Sequence, residues 1–210
     1  MAISVDNPGS GDGAQLFCRG DVQITNASRL FKPAEVALCE EQGIEFIEIR
    51  RAVDGITLIT SPANAEIDCV SFNDLYALVS SEAQGFERWS DANEITAEWD
   101  GTQFPEGLEL DVFGPGEESG TFDSFGEIVI EAVAKGKTGL DTEARDFVET
   151  IRADYSSSPN DNTIIEGISS TSHPIGWVGF AFAVEAAEAG DAKLLQVAVE
   201  DGGTCVTPTE

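Results

Sequence analysis

The chain alternates strand-like and helical segments, and this alternation constrains its fold more than any other feature. Short runs rich in Val, Ile and Thr predict strands at residues 3–5, 45–50, 52–60, 108–113 and 194–199. Apolar residues at helical spacing predict helices at residues 13–18, 32–42, 71–80, 121–134, 142–152, 160–170 and 181–189. Strands that alternate with helices indicate an α/β fold whose sheets are largely parallel and flanked by helices.

The charge of the chain excludes two classes of partner. Its 39 acidic and 11 basic residues give a formal net charge of -28. Nucleic acids and anionic membranes are bound through clusters of Lys and Arg, so we expect neither as a partner. No apolar run approaches the roughly 18 residues of a membrane span, and we expect no direct membrane insertion.

The four cysteines leave two interpretations open. Cys18, Cys39, Cys69 and Cys205 form no CxxC pair, and the chain has a single histidine, His173, so we expect neither a metal site nor a cofactor. An even number of widely spaced cysteines is typical of two disulfides in an oxidising compartment. Four buried free thiols are the alternative.

The strongest candidate for a binding site is the glycine-rich stretch at residues 114–122. If 108–113 is a strand and Thr121 opens a helix, the backbone N–H groups near Gly120 converge with the hydroxyls of Ser119 and Thr121. Such a point suits a tetrahedral oxyanion, and Gly120 lets the backbone approach it closely. An ordinary capped helix start is the alternative for so short a motif.

Two further stretches have similar chemistry. Residues 7–17 contain a second glycine-rich turn between a predicted strand and a predicted helix, without the Gly-Lys-Ser/Thr ending of a Walker loop. In the third, Ser28 neighbours Arg29, whose guanidinium can grip an oxyanion with two hydrogen bonds. A surface arginine paired with a carboxylate is the alternative there.

Together these stretches resemble a known family. The motifs "ASR" at 27–29, "SGTFD" at 119–123 and "GWVGFA" at 176–181 follow the order and rough spacing of the phosphate-binding component, PstS type, of the phosphate ABC transporter. The resemblance covers nearly the whole chain. It implies a type II periplasmic-binding-protein fold with phosphate held between two lobes, and a monomer that delivers phosphate to the permease without catalysis.

The resemblance also implies which residues bind phosphate. Ser119, Gly120 and Thr121 would donate from the second lobe, at residues 59–192. The first lobe, at residues 1–58 and 193–210, would contribute further donors, and hinges are expected near 52–58 and 193–197. These further donors are Ser10, Gly11, Gly13, Ser28 and Arg29. Some family members carry an arginine shortly before the SGT motif, whereas residues 115–118 contain none. Arg29 would therefore supply the positive charge of the site.

Location and covalent structure follow from the same resemblance. It implies disulfides between Cys18 and Cys39 and between Cys69 and Cys205. It implies an extracytoplasmic protein, periplasmic or on the cell surface, with a lipid anchor in some full-length forms. Family members carry further segments before and after the matched region, so we expect the first lobe to be incomplete here.

Selectivity for phosphate requires an acceptor for the proton that phosphate retains and sulfate lacks. Asp12, Asp123 and Asp161 are the candidates, although each also suits a helix start. Two other kinds of function stay open: binding of sulfate, molybdate or tungstate, and a sensing or interaction role without transport.

A hydrolase is the least favoured class. The chain has no GxSxG motif, and His173 precedes a proline in an expected loop, away from any nucleophile that the pattern identifies. No two of the 39 carboxylates stand out as a glycosidase pair. Trp89, Trp99 and Trp177 are expected to pack in the core.

Overall fold

The structure is a computed structural model that describes residues 10–27, 29–99, 101–198 and 203–209. The chain divides into two compact units. The first comprises Met1–Val53 with Glu117–Gly120, and the second comprises Asp54–Gly116 with Thr121–Glu210. The boundary between Val53 and Asp54 lies within the hinge expected at 52–58, while the lobe limits and the hinge motion stay predictions.

In the first unit, two helices pack against each other and are joined by the disulfide Cys18–Cys39. These are α1, Ser10–Cys18, and α2, Pro33–Glu41. Helix α2 begins at its proline, since the missing N–H of a proline costs nothing in the first turn. The predicted helix at 32–42 is therefore correct to within one residue at each end.

The second unit is built on a five-stranded sheet of order β4-β3-β5-β1-β6, with β2 and β7 paired separately. The strands are β1 Ile56–Thr60, β2 Cys69–Ser71, β3 Asp111–Gly114, β4 Ser156–Ser157, β5 Pro174–Gly179, β6 Lys193–Leu194 and β7 Gln196–Ala198. Pairing is parallel for β3–β4, β3–β5 and β2–β7, and antiparallel where β1 meets β5 and β6. The sheet is thus mixed.

Helices surround this sheet. They are α3 Phe72–Val79, α4 Asn93–Thr96, α5 Gly120–Phe125, α6 Glu131–Ala134, α7 Thr142–Val148, α8 Asp161–Ser170 and α9 Phe180–Ala189. A π-helical turn at Gly126–Ile130 joins α5 to α6, so the single helix predicted at 121–134 contains a bulge. Ser71 caps α3 by accepting from the Asp74 N–H (3.0 Å), and Asp74 accepts in turn from the Ser71 N–H (2.8 Å).

The core of the second unit lies between the sheet and these helices. Trp177 on β5 is 1% exposed and stacks on Phe125 with ring centroids 4.5 Å apart. Trp89 is fully buried, and its indole donates to the His173 carbonyl (2.8 Å). Trp99 packs against the same core and is half-buried. The prediction that the three tryptophans serve packing is confirmed.

Four strand predictions need correction or lie outside the described residues. The strand predicted at 45–50 is not observed, because these residues form no ladder pair with the described part of the chain. The strand predicted at 52–60 begins only at Ile56, and the one at 108–113 is shifted to Asp111–Gly114. The prediction at 3–5 lies outside the described residues. Helix α7 ends at Val148, four residues before its predicted end at 152.

Both disulfides that the resemblance implies are confirmed. Cys18 pairs with Cys39 in the first unit, and Cys69 pairs with Cys205 in the second. The second bond closes a sequence separation of 136 residues beside the β2–β7 pair. It therefore ties the end of the described chain to the start of α3.

Candidate functional site

The turn that follows β3 leads to the SGT motif and is fixed by packing at its start. A Cβ on Gly114 would lie 2.5 Å from Cη2 of Trp177, so no other residue fits there without movement. The Tyr155 hydroxyl donates to the Pro115 carbonyl (2.6 Å). Strand β3 and this hydrogen bond therefore set the path along which the chain enters the motif.

The motif itself forms a helix start. Helix α5 begins at Gly120, one residue earlier than predicted, and Ser119 directly precedes it. Ser119, Gly120 and Thr121 are each partly exposed. The N–H groups of a first helical turn have no acceptor within the helix and carry the positive end of the helix dipole. A helix start of this kind suits an oxyanion, and the role of the three residues in phosphate binding stays a prediction.

The second glycine-rich stretch differs from its prediction. Ser10, Gly11, Asp12 and Gly13 form the first turn of α1 rather than a turn before it. Their N–H groups nevertheless lie at a helix N-terminus. Ser10 is 7% exposed, and a Cβ on Gly13 would lie 2.7 Å from Thr25 Oγ1. The absent side chain at 13 thus lets α1 pack closely against the chain near Thr25.

Arg29 lies beside this first turn of α1. A Cβ on Gly11 would be 3.7 Å from Nη2 of Arg29, so the structure brings these two predicted site residues together. Both belong to the first unit. A guanidinium next to the N–H groups of a helix start combines two kinds of anion donor at one place.

Glu35 holds the Arg29 side chain. Nη1 and Nη2 of Arg29 donate to Oε2 and Oε1 of Glu35, each at 2.9 Å, and Nη1 also donates to the Leu30 carbonyl (3.1 Å). Glu35 accepts in addition from the Lys32 N–H at the start of α2 (2.7 Å). The hydrogen bond from Arg29 is the main reason why the pKa of Glu35 lies below its usual value.

Sequence reasoning missed Glu35. The available signal was its place in the first turn of a helix that opens with Pro33, where an acidic residue is common. A carboxylate paired with Arg29 was the alternative stated for this stretch, and the structure shows that this carboxylate is Glu35. Ser28, the other predicted site residue of the ASR motif, lies outside the described residues.

The three candidate acceptors lie in different surroundings. Asp12 and Asp123 are exposed on the first turns of α1 and α5. Asp161 is half-buried at the first residue of α8. Burial raises the pKa of Asp161, and the charge of Asp54 adds to this, while hydrogen bonds with its own backbone and with that of Gly179 oppose it. Which of the three serves as acceptor stays a prediction.

Other classes of site find little support in the described ranges. No group of three or more His, Cys, Asp or Glu side chains within them is arranged to hold a metal ion. None of the helices described there combines the length and the apolar character needed to cross a membrane. His173 lies in a bend before β5, with Nε2 3.6 Å from Oε2 of Glu66.

Comparison with known proteins gives a consistent result. The model of the PBP superfamily domain matches residues 1–206. Protein SphX of Synechococcus elongatus is 32% identical over 209 residues, which cover 99% of this chain and 53% of that protein. The phosphate-binding protein PstS of Staphylococcus saprophyticus is 26% identical and is matched over 100% of this chain and 56% of its own length.

A solved structure shares the fold. A possible phosphate-binding protein from Planctomyces limnophilus superposes with a TM-score of 0.66 at 26% identity, covering 96% of this chain and 62% of the other. The type II periplasmic-binding-protein fold expected from the motifs is therefore confirmed. The chain spans about half the length of the curated relatives it matches.

Proposed function

The chain belongs to the PBP superfamily, and on this premise we propose that it captures inorganic phosphate as the substrate-binding part of an ABC transporter. The proposal includes delivery of phosphate to the permease subunits and contains no catalytic step. The names of the relatives support phosphate as the ligand, because a protein matched over the whole of this chain is called phosphate-binding protein PstS.

The observation in this chain that carries the proposal is the place of Arg29. Its guanidinium lies against the first turn of α1, where Nη2 would be 3.7 Å from a Cβ on Gly11. Glu35 fixes the plane of the guanidinium through two hydrogen bonds of 2.9 Å. A preorganised guanidinium loses less entropy when an anion binds, and its donor geometry matches phosphate.

The charge of the chain does not oppose this function. Carboxylates on the surface are screened over about 8–10 Å at ordinary ionic strength. Hydrogen bonds from N–H groups at a helix start act on an anion at contact distance and are screened far less. A chain with a net charge of -28 can therefore hold an anion where its donors are local and oriented.

We place this capture outside the cytoplasm. Disulfides persist in oxidising compartments and are rare where cellular thiols keep cysteines reduced. The described part of the chain contains two of them, Cys18–Cys39 and Cys69–Cys205. An extracytoplasmic site is also where a transporter needs its substrate-binding part.

Isothermal titration calorimetry of the chain with phosphate, and then with sulfate, tests the proposal. We expect saturable binding of phosphate and much weaker binding of sulfate. Arg29→Lys keeps the charge but loses the two-fold donor geometry, and we expect roughly tenfold weaker phosphate binding. Ser119→Ala/Thr121→Ala should abolish the heat, since it removes both hydroxyl donors of the motif.

Arg19→Lys is the matched control, because Arg19 is exposed in the same unit and donates only to Gln15 Oε1 among the bonds described (3.1 Å). It should bind phosphate as the unmodified chain does. Absence of heat at millimolar phosphate contradicts the proposal for this chain. Equal binding of sulfate contradicts phosphate as the selected ligand, and an unchanged affinity in Arg29→Lys contradicts the role of the guanidinium.

A further inference from the structure

The side chain of Lys137 is enclosed by the second unit. It is 9% exposed, whereas the side chain of Lys135, two residues earlier, is 63% exposed. Removing an ammonium group from water is costly unless carboxylates or aromatic rings take the place of the water. The surroundings of Lys137 therefore have to supply groups that favour a cation.

Two carboxylates hold the ammonium group. Nζ of Lys137 lies 2.9 Å from Oε2 of Glu82 and 2.8 Å from Oε2 of Glu98. Oε2 of Glu82 also accepts from the hydroxyl of Tyr76. Burial acts to lower the pKa of Lys137, but the hydrogen bonds with Glu98 and Glu82 outweigh it and raise this pKa. The amine is therefore held in its charged form.

Two aromatic rings complete the enclosure. Nζ of Lys137 lies over the rings of Trp99 and Tyr76, 4.9 and 5.2 Å from their centroids. The rings stand nearly perpendicular to each other, at 82°, with centroids 5.8 Å apart. A cation within about 6 Å of a ring centroid is attracted by the ring, and this chemistry recognises alkylammonium ligands. The four enclosing side chains, called here the ammonium cage, are Tyr76, Glu82, Glu98 and Trp99.

The ammonium cage is assembled from three separate parts of the second unit. Tyr76 belongs to α3 and is fully buried. Glu82 lies in a short helical turn, Ser81–Ala83, and the other two side chains lie in a second one, Ala97–Trp99. The position of each wall is thus set by the fold around it rather than by Lys137 alone.

The backbone around Lys137 directs its side chain into the cage. The Lys137 N–H donates to the Ala134 carbonyl at the end of α6 (3.0 Å). The Lys137 carbonyl accepts from Nη2 of Arg145 (3.0 Å). A ligand whose attachment is fixed on both sides loses less entropy when it binds. Lys137 is therefore a preorganised ligand that closes the helical run from α5 to α6.

We propose that the ammonium cage is a recognition site for a primary alkylammonium group. Its ligand in this chain is the side chain of Lys137, which joins the end of α6 to α3 and to the two short helical turns. Once that side chain is removed, the cage accepts a free alkylammonium ion of matching length. Its two carboxylates repel anions, so this site is independent of the proposed capture of phosphate.

Chemical rescue of a truncated lysine tests the proposal. Lys137→Ala leaves two carboxylates without their cation, and its Tm should fall by about 5 °C or more. Propylammonium has the same carbons and ammonium group that the substitution removes. We expect millimolar propylammonium to raise the Tm of the variant progressively with concentration, and to leave the Tm of the unmodified chain unchanged.

Two solutes and one variant serve as controls. Potassium chloride at equal ionic strength supplies a cation without the alkyl chain, and n-propanol supplies the chain without the charge. Neither should restore the Tm of Lys137→Ala. Lys135→Ala is the matched variant, because Lys135 is exposed and its ammonium group contacts Glu131 Oε2 (3.3 Å) outside the cage. Its Tm should stay near that of the unmodified chain and should not respond to propylammonium.

Two walls of the cage can be tested separately in the Lys137→Ala background. Glu98→Gln removes one carboxylate charge at a side chain that is 51% exposed, and it should weaken propylammonium binding roughly threefold. Trp99→Leu removes one ring and should weaken binding by a similar factor. The dependence of Tm on propylammonium concentration measures both effects.

Acetylation of the unmodified chain tests the cage without any substitution. Because its amine is enclosed and held in the charged form, Lys137 should react about tenfold more slowly than Lys135 with an amine-reactive acetylating reagent. Peptide mass spectrometry after brief labelling measures the extent of acetylation at each lysine.

Three results overturn the inference. A folded Lys137→Ala variant that does not respond to propylammonium, or responds equally to potassium chloride or n-propanol, contradicts recognition of an alkylammonium group. An equal response of Lys135→Ala places the binding elsewhere. Equal acetylation of Lys137 and Lys135 contradicts the enclosure, and this comparison decides the matter if Lys137→Ala does not fold. Far-UV circular dichroism verifies the folding of each variant.

Discussion

Replacing Gly114 with alanine makes the new methyl group overlap the indole ring of Trp177. The new Cβ would lie 2.5 Å from Cη2 and Cζ2 and 2.7 Å from Cε2 of that ring. Neither partner can move easily. Gly114 belongs to β3, which is paired with β4 and β5, and the indole is held between Phe125 and Tyr155 with centroids at 4.5 and 5.4 Å.

The size of the effect follows from this geometry. Forcing additional atoms into a packed core destabilises proteins by about 1–3 kcal/mol. With both neighbours fixed, we expect about 2 kcal/mol for Gly114→Ala. A loss of 1 kcal/mol lowers the melting temperature of a domain of this size by about 2–4 °C, so Tm should fall by about 4–8 °C. Far-UV circular dichroism during urea and thermal unfolding measures both quantities.

A double-mutant cycle with Trp177→Phe identifies the cause. The substitution removes the outer indole atoms that the methyl group meets, and the Trp177 Nε1–H has no hydrogen-bond partner among the described residues. Trp177→Phe alone should cost about 1–3 kcal/mol through the space it leaves. The double variant should be more stable than the sum of the single effects predicts, by about 1 kcal/mol or more.

Gly126→Ala is the control, since a Cβ there would meet Ile151 Cδ1 at an ordinary 3.9 Å. It lies in the helical run after α5, and alanine should be neutral or stabilise by up to about 1 kcal/mol. The steric argument is refuted if Gly114→Ala has the same urea midpoint and Tm as the unmodified chain. It is also refuted if the free-energy effects of the substitutions at 114 and 177 simply add.

The remaining predictions concern an ion pair and the disulfides. Glu35→Gln should cost roughly 1 kcal/mol at pH 7, because the guanidinium of Arg29 lowers the pKa of Glu35 in the folded state. That stabilisation is present above the unfolded-state pKa of about 4.3 and is lost as pH falls through the folded-state pKa. In urea unfolding, the free energies of unfolding of the variant and of the unmodified chain should therefore become equal in acid. Replacing Cys69 and Cys205 by serine should destabilise by about 1.6 kcal/mol more than the same change at the disulfide of the first unit, because the sequence separations are 136 and 21 residues. Equal unfolding midpoints for the two double variants would contradict this loop-length argument.

Helix positions were predictable because their signals are local. Pro33 and Ser71 each mark a helix start by chemistry that acts within one turn, and α2 and α3 begin where these residues indicate. The π-helical turn at Gly126–Ile130 inside the run from α5 to α6 was not predictable. A bulge of one residue leaves the apolar spacing of such a run almost unchanged.

Strands were harder, because a strand exists only with a partner. The 45–50 stretch has the composition of a strand and forms none with the residues that the structure describes. In contrast, β5 begins with Pro174 and contains Gly176, and yet it lies in the middle of the sheet. Its glycine is dictated by packing, since a Cβ at 176 would lie 2.9 Å from both the Phe113 carbonyl and Ile168. Composition does not reveal which strands a segment has as neighbours.

The candidate site was predictable in its residue types but not in its arrangement. The motifs identified Gly11 and Arg29 separately, the family resemblance assigned both to one phosphate site, and the structure places them side by side. Glu35 was missed because the helix dipole alone accounts for a carboxylate in the first turn of a helix. Its contact with Arg29 spans six residues across the start of α2 and depends on how the chain enters that helix.

The pairing of Arg29 with Glu35 bears on how so acidic a chain attracts an anion. Other basic side chains in the described ranges also lie within salt-bridge distance of carboxylates, namely Lys135, Lys137, Arg145, Arg152 and Lys193. Positive charge at these side chains is therefore neutralised close to where it occurs. Affinity at the proposed site must come from oriented donors at contact distance, and for this reason we propose helix starts and one preorganised guanidinium, rather than clusters of lysine, as its donors.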